Sequence, residues 1–185
     1  MRDLSMHVLD IACNSVKAGA ALVTVTFVID EAKWLTFTIQ DDGCGMTPEL
    51  LKKAVDPFTT TRTTRRVGLG IPMLKQSAEA CGGMLDLQSE VGKGTTLTAT
   101  FDLKHIDCPP MGTMCDTLLA LTIMNPDKPD FMFTAESPAC TAAASFDTRP
   151  VREALGKVPL NEPDVIAWIK ESIDQEFRPI LEEYV

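Results

Sequence analysis

The chain has 185 residues, 45% hydrophobic and 23% charged, enough to bury one good-sized core or a core of about 100 residues plus a smaller one. Its net charge of −9 sets the surface as a whole against nucleic acid and anionic lipid. No apolar run reaches the ~18 residues of a membrane span, the start from Met1 to Ser5 has no signal-peptide core, and six scattered cysteines without a CxxC pair read as reduced thiols, so a soluble cytoplasmic protein is expected.

From Ser5 to about Lys17, Val8, Leu9, Ala12 and Val16 follow a helical period that Gly19 closes. Leu22 to Ile29 and Trp34 to Ile39 alternate as strands, with Asp30 to Lys33 as the hairpin turn. Asp41-Asp42-Gly43-Cys44-Gly45 breaks the pattern. Thr47-Pro48 then supplies a cap and first helical residue for a short helix through Val55. Asp56 to Val67 is polar and aperiodic, a loop. Ile71 to Cys81 predicts a helix ended by Gly82-Gly83, and Met84 to Glu90 with Thr95 to Leu103 a second hairpin turning at Gly92-Lys93-Gly94. The alternation stops near Cys108-Pro109-Pro110, which divides the chain into residues 1–104 and 105–185. The second part reads as a small α+β unit. Its strands are Leu118 to Met124, Phe131 to Thr134 and around Ala144 to Asp147, split by proline turns. A helix follows Pro163, with Val165, Ile166, Ile169, Ile173 and Phe177 on one stripe. That stripe, beside Trp168, suits core packing or a homodimer contact.

Four segments carry candidate chemistry. Asp10 and Asn14 are one helical turn apart and share a face, with Lys17 beside them. A carboxylate, a carboxamide oxygen and an ammonium suit a Mg²⁺-phosphate site, because Mg²⁺ takes hard oxygen ligands and accepts one protein ligand plus phosphates and waters; a solvated helix face has the same composition. In Asp41-Asp42-Gly43-Cys44-Gly45-Met46, two glycines let the backbone approach a flat ligand, and an Asp accepts a hydrogen bond from an exocyclic amine; an ordinary Asp-Gly turn is the plain alternative. Gly68-Leu69-Gly70 runs into a helix, whose free N–H groups suit an anion; a tight loop explains the glycine pair equally well. Gly92-Lys93-Gly94-Thr95-Thr96 is by itself a β-turn.

In order and spacing, these segments resemble the boxes of the GHKL (Bergerat-fold) ATPases, the family of sensor histidine kinase catalytic domains, anti-sigma kinases and the Hsp90, gyrase B and MutL ATPases. The series is Asp10-x-x-x-Asn14, Asp41-x-Gly43-x-Gly45, Phe58 in Asp56-Pro57-Phe58, Gly68-x-Gly70, and Gly92-x-Gly94-Thr95-Thr96. It covers about Arg2 to Leu103 and is most like a histidine kinase catalytic domain. The resemblance implies a two-layer α/β sandwich, a mixed and mostly antiparallel sheet with helices on one face, binding ATP and Mg²⁺ under a lid. By it, Asn14 holds Mg²⁺, Asp41 reads the adenine amine, Gly43, Gly45 and Met46 line the base pocket, and Thr95 helps near the base. Lys17 reaches the terminal phosphates; Phe58, Arg66, Gly68, Leu69 and Gly70 belong to the lid and its end. Asp10 stands at the general-base position.

The sequence also departs from the family. Many relatives have Glu where Asp10 stands, and a carboxylate retracted by about 1 Å can cost ~10²-fold in rate, so slow hydrolysis is expected. Arg66 replaces a lid glycine, and Arg62, Arg65 and Arg66 suit either phosphate clamping or a solvated loop. His7 and His105 lack the setting of a phosphoacceptor and read as structural. His105, Cys108, Cys115 and Cys140 fit no zinc spacing. The leading expectation is a regulatory ATP-binding module acting with a protein partner; a kinase acting in trans and a slow ATPase clamp are the alternatives.

Overall fold

The computed structural model describes residues 3–55 and 69–183. In chain order the elements are α1 (Leu4–Lys17), β1 (Leu22–Ile29), β2 (Trp34–Asp41), α2 (Pro48–Val55), α3 (Gly70–Ala80), β3 (Leu85–Glu90), β4 (Gly94–Asp102), α4 (Met114–Met124), β5 (Asp130–Glu136), β6 (Ala144–Asp147), α5 (Thr148–Leu155) and α6 (Pro163–Leu181). The strands form one sheet in the order β3-β4-β2-β1-β5-β6. Every neighbouring pair is antiparallel except β1 with β5.

Alternation in the sequence decides which face is covered. Val25, Phe27 and Ile29 of β1 stand in register with Ile39, Phe37 and Leu35 of β2, and these with Leu97, Ala99 and Phe101 of β4, while Val23 stands opposite Asp41. All are buried. The intervening Thr24, Thr26, Thr36, Thr38 and Thr98 lie on the opposite, half-open face, where Thr38 and Thr98 share a hydroxyl hydrogen bond of 3.2 Å. A one-residue slip would turn the phenylalanines to water, so this pattern fixes the register. The architecture is therefore α/β, a mixed and mostly antiparallel sheet with its apolar face packed by helices.

Two expectations change. Leu118 to Met124 lies in the helix α4 rather than a strand; Met114, Cys115, Leu118 and Leu121 are buried at helical spacing. A short apolar run carries no period that separates a strand from a buried helix. The helix α5 was not anticipated from sequence: it has only Thr148 buried, and its start is set by Asp147, whose carboxylate accepts from Arg149 N at 2.9 Å.

The sheet also continues past residue 104. β5 pairs with β1 along Leu22–Val28 and Asp130–Glu136, and Phe131, Phe133 and Phe146 join the same buried cluster as Phe27 and Phe37. At the start of α1, the Leu4 and Ser5 amides donate to the Pro110 and Met111 carbonyls at 2.9 and 3.0 Å. The helix that bears Asp10 and Asn14 is thus held by both halves of the chain.

Candidate functional site

The helix α1 opens on Asp3, whose carboxylate accepts from Met6 N at 2.9 Å. Its buried stripe of Leu4, Val8, Ile11, Ala12 and Ser15 faces the sheet, leaving Asp10 and Asn14 half-buried and Lys17 exposed on the last turn. The helix end is tied directly to the Asp-x-Gly-x-Gly loop. Cys44 N donates to Ala18 O at 2.9 Å, and Asp42 Oδ1 accepts from Ala21 N and Leu22 N at 2.7 and 2.9 Å.

Asp41, at the end of β2, is 8% exposed. Ser15 Oγ donates to its Oδ2 at 2.6 Å and Gly43 N to its Oδ1 at 2.9 Å. A carboxylate offers about four acceptor positions, so two bonds hold Asp41 rigid and leave acceptor capacity for a ligand. The neighbouring turn is equally constrained. Gly45 has φ +65°, and a Cβ there would lie 2.0 Å from the Glu90 carbonyl oxygen, so only glycine fits. Beside it, Ser89 Oγ accepts from Met46 N and donates to Gly94 O, both at 2.9 Å. Its single proton is then spent, so Thr95 is the donor in the 2.9 Å contact between the two hydroxyls.

These segments enclose a cavity of about 420 Å³, within the range of small-molecule sites. Asn14, Asp41, Gly45, Met46 and Thr95 line it, together with apolar side chains from the sheet (Ile39, Leu87, Leu97) and the helices (Ile11, Leu50, Ala54, Ile71). Gly43 stands behind Asp41, and Lys17 is not in the lining. Asp10 lies against the first residue of α3, where a Cβ on Gly70 would come within 1.7 Å of its Oδ2. That places a carboxylate at a helix N-terminus that has no side-chain cap, a favourable position for negative charge. Leu69 is exposed at the same end. Phe58, Arg62, Arg65, Arg66 and Gly68 lie outside the described residues.

Ser15 and the apolar wall escaped the sequence reading. Ser15 follows Asn14 and carries no signal of its own; only the fold brings it to Asp41. The leucines and isoleucines read as ordinary core. His7 is fully buried on α1, its Nε2 3.3 Å from Ser77 Oγ and its Nδ1 without a partner among the described residues. Burial lowers its pKa from 6.5. Burial likewise pushes the Cys108 and Cys115 thiols up to about 12. No group of three or more His, Cys, Asp or Glu side chains converges among the described residues, and no helix there is long and apolar enough to cross a membrane.

A one-sided α/β sheet, with a buried, hydrogen-bonded carboxylate at the end of a strand and a largely apolar cavity beside it, defines a domain with a small-molecule site. The family model for the histidine kinase-, DNA gyrase B-, and HSP90-like ATPases matches residues 2–105, and the chain belongs to that family. It is 34% identical over 113 residues to the sensor histidine kinase WalK of Bacillus subtilis, covering 56% of this chain and 18% of that protein. It is 38% identical over 69 residues to the sensor kinase CckA of Brucella abortus, covering 37% of this chain and 7% of that protein. The chain thus spans less than a fifth of either relative. Among solved structures, the N-terminal domain of a DNA repair protein superposes with a TM-score of 0.52 at 12% identity, over 79% of this chain and 53% of that one. Coverage of 79% exceeds what residues 2–105 supply, so the likeness of fold extends into the C-terminal half.

Proposed function

We propose that the chain is a Mg²⁺-ATP-binding regulatory module of histidine kinase-like type, working in the cytoplasm with a partner protein in signal transduction. The observation that carries this is Asp41. It is a buried carboxylate fixed by Ser15 and Gly43, with acceptor capacity left over, on the wall of a largely apolar cavity of about 420 Å³. It accepts the exocyclic amine of adenine while Ile39, Leu87 and Leu97 flank the ring, Gly45 and Met46 close the turn, and Thr95 stands near the base. Asn14, half-buried on the cavity wall, offers the hard oxygen that Mg²⁺ prefers. Lys17, exposed on the last turn of α1, serves the terminal phosphates; the lid residues Phe58, Arg66 and Gly68 lie outside the described residues. When bound, ATP supplies a transferable phosphoryl group whose charge Mg²⁺ offsets. Asp10 orients the attacking group, and its short side chain makes turnover slow.

Calorimetric titration of Mg·ATP and Mg·ADP into the wild type, Asn14→Ala and Asp41→Asn tests this reading. Micromolar binding, weakened by about tenfold or more in each variant, is the expected result, equivalent to about 1.4 kcal/mol or more. A wild type that binds neither nucleotide would sink it. Incubation with labelled γ-phosphate and a candidate partner then separates a sensor of ATP from a kinase acting in trans, since only the kinase labels the partner.

A further inference from the structure

Outside the nucleotide cavity, the described surface holds one more built apolar feature. A cleft of about 340 Å³ lies between α5 and α6, walled by Val151, Ala154, Leu155, Val165 and Trp168, with Asp164 at its margin. Trp168 is 52% exposed. Its inner side is fixed against Phe146, ring centroids 6.3 Å apart at 48°. A tryptophan held on one side and open on the other is the side chain most often found at the energetic centre of an interface.

Charge decides what such a cleft takes. Residues 105–185 hold 14 Asp and Glu against 6 Lys and Arg. Most of those cations are already committed. Arg149 pairs with Asp147, Arg152 with Asp130, Lys170 with Asp116 and Asp174, and Arg178 with Asp174 and Glu182. Around the cleft, Glu153, Glu162, Asp164 and Glu171 are exposed and form no ion pair among the described residues, whereas of the cations on and between α5 and α6 only Lys157 has none there. Glu171 sits one turn beyond Trp168 on the same face of α6. A second copy of the chain would bring the same acidic rim, and an anionic membrane would be repelled.

We infer that the α5–α6 cleft is the docking site for a basic amphipathic helix of another protein, whose apolar stripe packs on Trp168 and whose lysines and arginines meet Glu153, Asp164 and Glu171. Such a helix anchors through side chains at i, i+3, i+4 and i+7, a repeat suited to a groove between two helices. The inference rests on the C-terminal half alone and stands whether or not nucleotide binds.

The test uses the full chain with Trp34→Phe, so that Trp168 is the sole tryptophan, and three synthetic peptides of about 18 residues, five helical turns. One is a leucine/lysine amphipathic helix, one has the same composition with the leucines scattered, and one replaces lysine by glutamate. The expected result is a blue shift of Trp168 emission with the first peptide only, saturable and weakened by salt. Anisotropy of the labelled peptide should show affinity reduced about tenfold by Trp168→Ala and by the exposed double change Asp164→Lys with Glu171→Lys. Equal binding of the scattered peptide, full affinity in Trp168→Ala, or no binding of the first peptide overturns the proposal. So does a dimer in sedimentation that Trp168→Ala dissolves, which would assign the cleft to a second copy.

Discussion

Asp41, Ser15 and Gly43 illustrate how much of this site rests on single hydrogen bonds between segments far apart in the chain. Ser15 and Asp41 are 26 residues apart and meet at 2.6 Å. Both are buried, so removing the hydroxyl leaves a buried carboxylate short of a donor, a loss of about 1–3 kcal/mol by general experience. His7 makes a separate prediction on the same helix. Burial depresses its pKa below 6.5, opposed by Asp10 and Asp3, so the folded state holds it neutral while the unfolded chain takes up a proton. Below pH 6.5 the unfolded state therefore binds more protons, and stability declines as pH falls from that value toward the lowered native one. Above 6.5 the group contributes no slope. Urea midpoints measured from about pH 8 to about pH 5 should show this decline in the wild type and a shallower one in His7→Gln; superimposable profiles would refute the assignment.

At the scale of elements, α4 is the piece whose character changes most between sequence and structure. It packs against α1 and α6, with Leu118 and Leu121 essentially inaccessible and Met124 67% exposed. Leu118→Ala should cost about 2–5 kcal/mol, the range for a leucine truncated in a close-packed core, whereas Met124→Ala should stay within about 0.5 kcal/mol. Equilibrium denaturation of the two variants checks the contrast; in a strand the two residues, six apart, would share a face and respond alike. Strands β1 and β2 are legible in the sequence because each alternates strictly, and α2 is legible from its Thr47-Pro48 start. Thr47 Oγ1 accepts from Leu50 N at 3.3 Å, so the cap seen in the sequence is present. An apolar run such as Leu118 to Met124 gives no such signal, since residues on both its buried and its open side are apolar and leave no polar position on the open side to mark a period.

For the whole molecule, the question is whether residues 105–185 are an attachment or part of the domain. The family match ends at residue 105, yet β5 supplies the hydrogen-bonding partner of β1, and the Pro110 and Met111 carbonyls receive the first amides of α1. A fragment ending at Lys104 would leave β1 as a sheet edge without its β5 partner and remove Phe131, Phe133 and Phe146 from the shared buried cluster. We expect that fragment to lose cooperative urea unfolding and to bind hydrophobic dyes. If it instead unfolds cooperatively with the full chain's urea midpoint, the C-terminal half is a separable addition. The polar chain between Val55 and Leu69, with Arg62, Arg65 and Arg66, lies outside the described residues.

The sequence by itself determined the family and the sheet's covered face. Glycines, carboxylates and strand alternation are local requirements: a close approach, an acceptor, a buried side. Each leaves its mark at a fixed spacing, which is why Asn14, Asp41, Gly45, Met46 and Thr95 could be named beforehand and are found lining one cavity. Only the tertiary structure decided that Ser15 steadies Asp41, that Asp10 rests against Gly70, that α4 is a helix, and that β5 runs parallel to β1. Those facts depend on which surfaces meet across long loops. Pairing of that kind is a property of the assembled core and has no counterpart in the spacing of residues along the chain.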